Sequence, residues 1–466
     1  MNQITYMCRM KKRAISFSPP DMSELEEQQV IDTLRSGWIT TGPKTKKLER
    51  ELAGFLGISN GVVNGQEVTS PNLVCLGSAT ASEELILRIL GVGPGDEVIV
   101  PAYTYTSTAA AAIHTGAKVV FIDCQSNSLE MNYEQMADAI NEHTKAIVPV
   151  DLGGVPCDYD RIYEIVEDKR DLYEPMKSDE SADDLTKLGS RIQHKLGRIA
   201  VVADGAHALG AHRYVKRYSC NISGQAVRTD RMVGAISDFT SFSFHAVKNF
   251  TTAEGGAACW NLPFSVSKNE DKDKDSDVSD EEIYHWFQLL SLHGQSKDAL
   301  AKAQVGAWEY DIVAPLYKCN MTDIMAGIGL AQFDRYPGFL NRRREIVKRY
   351  DEVCDKLDVD HIHHYTSEYT SSGHLYITRI KGCDDSQRRE IITRMAEQGV
   401  STNVHYKPLP MMTGYKRMGA DIKDYPNAYK LYSNEITLPL HTKLSDEDVE
   451  YVISMFSNMV RAVRGY

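Results

Sequence analysis

The residue with the clearest chemical potential is Lys248, carried by the aromatic and β-branched run Ser241-Phe-Ser-Phe-His-Ala-Val-Lys-Asn-Phe-Thr-Thr-Ala-Glu-Gly-Gly256. A solvated lysine titrates near about 10.4 and is a poor nucleophile at neutral pH, so covalent use of Lys248 requires burial or a cationic neighbour. Phe244, His245, Val247 and Phe250 are placed to supply that environment; a solvated surface charge is the plainer alternative. A second candidate is Asp204, which opens Asp204-Gly-Ala-His-Ala-Leu-Gly210 where the apolar strand Ile199 to Ala203 ends. A carboxylate at a buried strand end is costly unless it is partnered, and a ring nitrogen or a helix N-terminus would each serve. A third is Gly77-Ser-Ala-Thr80, set between the apolar strand Leu73 to Leu76 and a helix expected from Ser82 to Leu90. Small residues before a helix N-terminus leave backbone N–H groups free for an anion, with the Thr80 hydroxyl as a further donor. That outlines a phosphate site, and equally a tight strand-to-helix turn.

These groups need a scaffold, and the pattern around them supplies one. Glu97 to Pro101, Lys118 to Ile122 and Lys145 to Val150 read as further buried strands, and Tyr103-Thr-Tyr105 leads into an alanine-rich helix reaching Ile113. Strand–helix alternation implies an α/β fold, a parallel sheet with helices on both faces and ligands at the carboxyl ends of the strands. Before it comes a helix from Ser23 to Leu34, with Ser23 as N-cap and Glu26 as capping-box partner. The loop Gly37-Trp-Ile-Thr-Thr-Gly-Pro43 follows, its Trp38 a packing anchor or a ligand contact, and then a helix from Lys44 to about Leu56.

Two charged stretches interrupt the pattern. Residues 160–198 read as a partly helical surface excursion, and 269–282 as a solvated loop whose alternating aspartates lack the central glycine of a calcium-binding loop. Beyond Tyr336 a basic helix from Asn341 to about Leu357, with the arginine triplet 342–344 as its solvated face, opens an α+β segment ending in the helix Asp446 to Val463. A chain of 466 residues exceeds one ordinary core, so residues 16–336 are expected as a large domain and 337–466 as a small one.

Composition narrows the function classes. The 52 basic and 64 acidic residues give a net charge of −12, with no Lys/Arg block to follow a phosphate backbone, so nucleic acid is not an expected partner. Nine cysteines without any Cys-x-x-Cys pair point to a reducing compartment. Met1 to Arg13 lacks the apolar core of a signal peptide, and no run of about 18 apolar residues predicts a membrane span, so a cytoplasmic protein is expected.

Five motifs in order carry a resemblance: Gly77-Ser-Ala-Thr-Ala81; Gly93-Pro-Gly-Asp-Glu-Val-Ile-Val-Pro101; Asp204-Gly-Ala-His-Ala-Leu-Gly210; Ser243-Phe-His-Ala-Val-Lys-Asn249 with Glu254-Gly-Gly256; and Met321-Thr-Asp-Ile324. From about Ser18 to its end the chain resembles the DegT/DnrJ/EryC1/StrS sugar aminotransferases. The resemblance implies pyridoxal 5'-phosphate (PLP) as cofactor, on the fold type I scaffold: a large domain with a mainly parallel seven-stranded sheet, and a smaller C-terminal α+β domain. It implies that Lys248 holds the cofactor covalently and then shuttles a proton, and that Asp204 pairs with the pyridine nitrogen. Tyr105 would stack on the ring and His207 would reach its phenolic oxygen. Ala79, Thr80 and Ser243 would hold the phosphate, together with Asn320, or Lys318, donated across a homodimer. The stretch Val400 to Leu409 resembles the part that approaches the nucleotide sugar, making His405, Tyr406 and Lys407 substrate contacts alongside Trp38 and Thr40. Val155 departs from the family's usual glutamine. The reaction implied is amino transfer from glutamate to a keto group, most closely C4, of a UDP-type nucleotide sugar for surface polysaccharide or glycan synthesis. Dehydrating members have histidine at the lysine position, against which Lys248 speaks. The alternatives are another fold type I PLP enzyme acting on amino acids alone, or a catalytically silent PLP-binding protein. No metal is implied.

Overall fold

Short apolar runs build the central sheet of the computed structural model, which describes residues 12–58, 71–216, 228–263, 278–297 and 309–465 and the backbone of 62–63 and 66–67. Its strands are β1 (Leu73–Leu76), β2 (Glu97–Pro101), β3 (Lys118–Ile122), β4 (Thr144–Ile147), β5 (Ala200–Asp204), β6 (Phe239–Ser243) and β7 (Gly256–Trp260), in the order β1-β7-β6-β5-β4-β2-β3. Neighbours from β6 to β3 are parallel, whereas β7 runs antiparallel to both β6 and β1. This is the mainly parallel seven-stranded sheet of a fold type I enzyme. Every residue of β2, β5 and β7 is buried, the pattern of strands covered on both faces.

Alternation along each strand divides the core. Val98 and Val100 of β2 and Val202 of β5 join one apolar cluster, while Ile99 and Val201 join another on the opposite face. The helices that matter for the site are α1 (Glu24–Ser36), α2 (Pro43–Leu56), α3 (Ala79–Ile89), α4 (Thr106–Thr115), α5 (Tyr159–Asp168), α6 (Asp184–Leu196), α7 (Asp280–Ser291) and α8 (Asp323–Lys356). Ser23 caps α1 in a full capping box with Glu26, as its spacing predicts.

Several elements correct the sequence reading. Residues 160–198 are not a surface excursion: α5 buries Ile162, Tyr163, Ile165 and Val166 against one face of the sheet, and α6 buries Leu188, Ile192 and Leu196 against the other. Their charges occupy the outward faces of two amphipathic helices, and charge density hid the 3.6-residue period. α3 begins at Ala79 rather than Ser82, because Ser78 is its N-cap and accepts from the Ala81 N–H. Of the stretch 269–282, residues 269–277 lie outside the described residues, and Asp280 to Glu282 form the first turn of α7 behind Ser279. Met1 to Lys11 also lie outside them.

The basic helix is one unbroken α8 of 34 residues with Pro337 inside it, so the chain is helical across 336–337. Its arginine triplet is not a solvated face. Arg343 is buried and donates to the carbonyls of Gly373, His374 and Leu440. After it, strands 360–361, 376–379 and 435–438 form an antiparallel sheet with α9 (Asp385–Glu397) and α10 (Asp446–Arg464) packed against it. Their core includes the C-terminal half of α8 and Ile15 from the start of the chain.

Candidate active site

The parallel register sets Asp204, the last residue of β5, beside Ser241 of β6. β6 ends at Ser243, and the chain returns as β7 from Gly256, directly across from both Ser243 and Leu76. The intervening loop is pinned at both ends. Phe244 donates its N–H to Gly255, Thr252 donates to Phe244, and the buried rings of Phe244 and Phe250 meet edge to face at 4.8 Å. Lys248 lies near the loop's tip, its N–H donated to the His245 carbonyl. Of the four side chains expected to surround it, Phe244 and Phe250 are buried, while His245 and Val247 are exposed.

Lys248 lines a cavity of about 520 Å³ with Ala79, Thr80, Tyr105, Asp204, His207, Ser243, His405 and Tyr406. Burial lowers its ammonium to about 8, and Asp204 is the opposing charge that limits the fall. No cationic neighbour is needed. The residue is part-exposed because it forms part of the cavity wall. The Asp204 carboxylate is held on both oxygens, by the Ala206 N–H at 3.1 Å and the Thr108 hydroxyl at 2.8 Å. Thr108 is steadied in turn by Thr104, one turn back, at 2.9 Å.

His207 is fixed as a neutral ring. Its Nδ1 accepts from the Gly153 N–H at 3.2 Å, which leaves the proton on Nε2, 3.2 Å from the Tyr406 hydroxyl. Burial depresses its pKa well below the ordinary histidine range, and Lys248 adds to the effect. His374 packs against it with ring centroids 4.4 Å apart and bonds Asn249 at 2.8 Å. Tyr105 stands exposed at the mouth with its ring 5.7 Å from that of Tyr406. His405 is anchored from below: its N–H donates to Glu435 at 2.9 Å, its Nδ1 lies 2.9 Å from the Thr437 hydroxyl, and its ring stacks on Phe17.

At the other end of the cavity is the N-terminus of α3. The first N–H groups of a helix have no intrahelical acceptor, and its dipole favours an anion there. Gly256 allows that terminus to lie against β7, since a Cβ on Gly256 would sit 2.4 Å from the Ser78 carbonyl carbon and 2.5 Å from the Ala79 nitrogen. An amine of lowered pKa, an ordered carboxylate, a neutral histidine and an anion cradle form the donor set that PLP requires, and the residues present fit it.

Four expected site residues lie elsewhere in this chain. Asn320 donates to the Thr41 hydroxyl at 2.5 Å and accepts from Lys318; Lys407 is exposed; Trp38 is half-buried beside Gly42; and the Thr40 carbonyl accepts from the Asp323 N–H at 3.0 Å. Val155 also lies off the cavity, where Val150 and Leu152 form the wall. Sequence reasoning missed Thr108, whose spacing from Thr104 is one helical turn, and the Asn249–His374 pair, which no local signal reveals. Among the described residues no cluster of His, Cys, Asp or Glu could hold a metal ion.

The model of the DegT/DnrJ/EryC1/StrS aminotransferase family matches residues 20–173 and 190–457. The chain is 31% identical to the spore coat polysaccharide biosynthesis protein SpsC of Bacillus subtilis, over 98% of this chain and 99% of that one. It is 29% identical to the UDP-4-amino-4-deoxy-L-arabinose–oxoglutarate aminotransferase of Shewanella sediminis, over 97% and 99%. Among solved structures, the PLP form of Spr1654 of Streptococcus pneumoniae, named as a putative sugar aminotransferase, superposes with a TM-score of 0.82 at 48% identity, covering 97% of this chain and all of that one.

Proposed function

The chain belongs to the DegT/DnrJ/EryC1/StrS aminotransferase family, a PLP-dependent aminotransferase, and from that premise we propose that it moves an amino group from glutamate to C4 of a keto sugar carried on UDP, in the synthesis of a surface polysaccharide or glycan. The observation that carries the reading is the single cavity that gathers Lys248, Asp204 and the α3 N-terminus.

PLP, when bound, supplies an electron sink for the carbon that gains or loses the amine. Lys248 is the residue that attaches the cofactor and moves the proton, and its amine near 8 is deprotonated to a useful degree at neutral pH. Asp204 would hold a proton on the ring nitrogen, and His207, with its proton on Nε2, would donate to the phenolic oxygen. Ala79, Thr80 and Ser243 would hold the phosphate, Tyr105 would cover the ring, and His405 and Tyr406, which line the cavity, would receive the sugar, with Lys407 next to them in the chain but outside the cavity wall.

We further propose an obligate homodimer that shares its sites. Leu25, Leu34 and Ile39 are exposed on and after α1, and Ile312, Val313 and Tyr317 are exposed shortly before Lys318, apolar side chains that a second copy would cover. Trp38, Thr40, Asn320 and Lys318, which this chain does not use in its own cavity, then serve the partner's. The described cysteines are free thiols, six of the seven buried, which supports a reducing, cytoplasmic setting. Two domains, 16–336 and 337–466, complete the proposal.

The test is a pair of half-reactions. Glutamate should convert the bound PLP to its pyridoxamine form, and a UDP-4-keto sugar should convert it back, where simple keto acids of similar size fail. Return only by keto acids would favour an amino-acid enzyme; a protein that stays colourless with added PLP would favour a silent one.

A further inference from the structure

A second carboxyl lies behind Asp204. Glu83 is on α3, 2% exposed, in line with the apolar Leu87 and Leu90 at helical spacing. The Ser241 hydroxyl donates to its Oε1 at 3.0 Å, while Oε2 is buried without a partner of hydrogen-bonding geometry. The charged group facing Glu83 is the Asp204 carboxylate, and among the described residues no cation acts on Glu83. Around Asp204 itself, Lys248 and Tyr406 act from the cavity and Asp151 from behind. Two adjoining carboxyls in such surroundings cannot both ionise. The hydrogen bonds decide which keeps its proton. Asp204 accepts on both oxygens, as an ionised group does, whereas Glu83 accepts only on Oε1 and has Oε2 left over. Burial, then the Asp204 charge, raise the proton affinity of Glu83 well above that of an ordinary carboxylate.

We propose that Glu83 is a positioning residue for Asp204: it keeps a proton on Oε2 and donates it to the Asp204 carboxylate, so that the pair presents one negative charge in one orientation to the cofactor's ring nitrogen. The proton stays with Glu83 throughout, and no bond other than this hydrogen bond forms or breaks. The orientation half rests on the role proposed above for Asp204; the protonation half does not.

The protonation half is read on the full chain stripped of PLP, by urea unfolding of wild type and Glu83→Gln between about pH 5 and 8. Unfolded, Glu83 loses its proton near 4.5; folded, it keeps it, so the folded state binds the extra proton and wild-type stability falls as pH rises. Glutamine can make the same two hydrogen bonds without a titrating proton. The folding constant of wild type should therefore drop relative to Glu83→Gln by about tenfold per pH unit in that range. Parallel profiles would overturn the proposal.

The orientation half is read on the PLP-loaded protein, from the pH at which its visible band changes. Glu83→Leu should move that midpoint by at least about half a unit, and Glu83→Gln should leave it near wild type. Glu83→Asp, with the proton withdrawn by one methylene, should shift it as well and serves if the leucine chain fails to fold. A midpoint unmoved in the leucine or aspartate chain, or moved equally by glutamine, would overturn the positioning role. Neither measurement uses sugar or glutamate, so failure of the proposed reaction leaves both readable.

Discussion

Burial makes Lys248 expensive to fold as well as reactive, and the cost is measurable without substrate. Its folded pKa of about 8 lies below the 10.5 of a free lysine, so the unfolded chain binds more protons between those values and stability rises with pH across that window. Below about pH 8 the cost is present in full. Lys248→Met, stripped of PLP, should be more stable than wild type at pH 7 by about 2 kcal/mol, a figure reduced from the full shift because the amine faces the cavity; the gain should shrink toward pH 10. Urea unfolding at the two pH values checks it. Lys248→Ala with PLP added should lack the wild-type visible band and lose at least about 10³ in kcat. Lys248 and Asp204 stand out in sequence because each is a charged group set at an apolar run, whereas His207 comes only through the family resemblance. Their partners do not: Thr108 and Glu83 meet Asp204 only once the sheet has formed, and nothing in their own neighbourhoods announces it.

The element proposed to hold the phosphate end is the junction of α3 and β7. Gly256→Ala would drive a Cβ into the backbone of Ser78 and Ala79, at 2.4 and 2.5 Å, so the helix N-terminus must shift. The expected result is a PLP Kd raised at least about tenfold, a loss of roughly 1.4 kcal/mol or more, in a chain that still folds. Equilibrium dialysis of PLP reads it. Ser23→Ala is the contrast: losing the α1 cap should cost about 1 kcal/mol in thermal unfolding and leave PLP affinity unchanged. Strands β1 to β5 and the α1 cap were legible in sequence because short continuous apolar runs and a Ser-x-x-Glu spacing are local signals. α5 and α6 were not, since their outward faces are so densely charged that the stripe Ile162, Ile165, Val166 is easily passed over. The full length of α8 was missed for a similar reason: Pro337 reads as a break, yet the helix continues through it.

At the scale of the whole molecule, the apolar side chains exposed on α1 and the position of Asn320 outside its own chain's cavity support the proposed shared dimer. A chain carrying both Lys318→Ala and Asn320→Ala should release PLP readily without unfolding. Mixed with Lys248→Ala, it should regain activity, because one site in each mixed dimer then takes its lysine from one chain and its phosphate donors from the other. No recovery in verified mixed dimers would place the whole site within one chain. The central claim, amino transfer from glutamate to a sugar carbon, is tested most directly by following the nitrogen itself. With ¹⁵N-glutamate, PLP enzyme and a UDP-4-keto sugar, NMR of the product should show ¹⁵N bonded to C4 of the sugar, and no such label with Lys248→Ala. Nitrogen-15 recovered only in another amino acid, with the sugar unlabelled, would contradict the account.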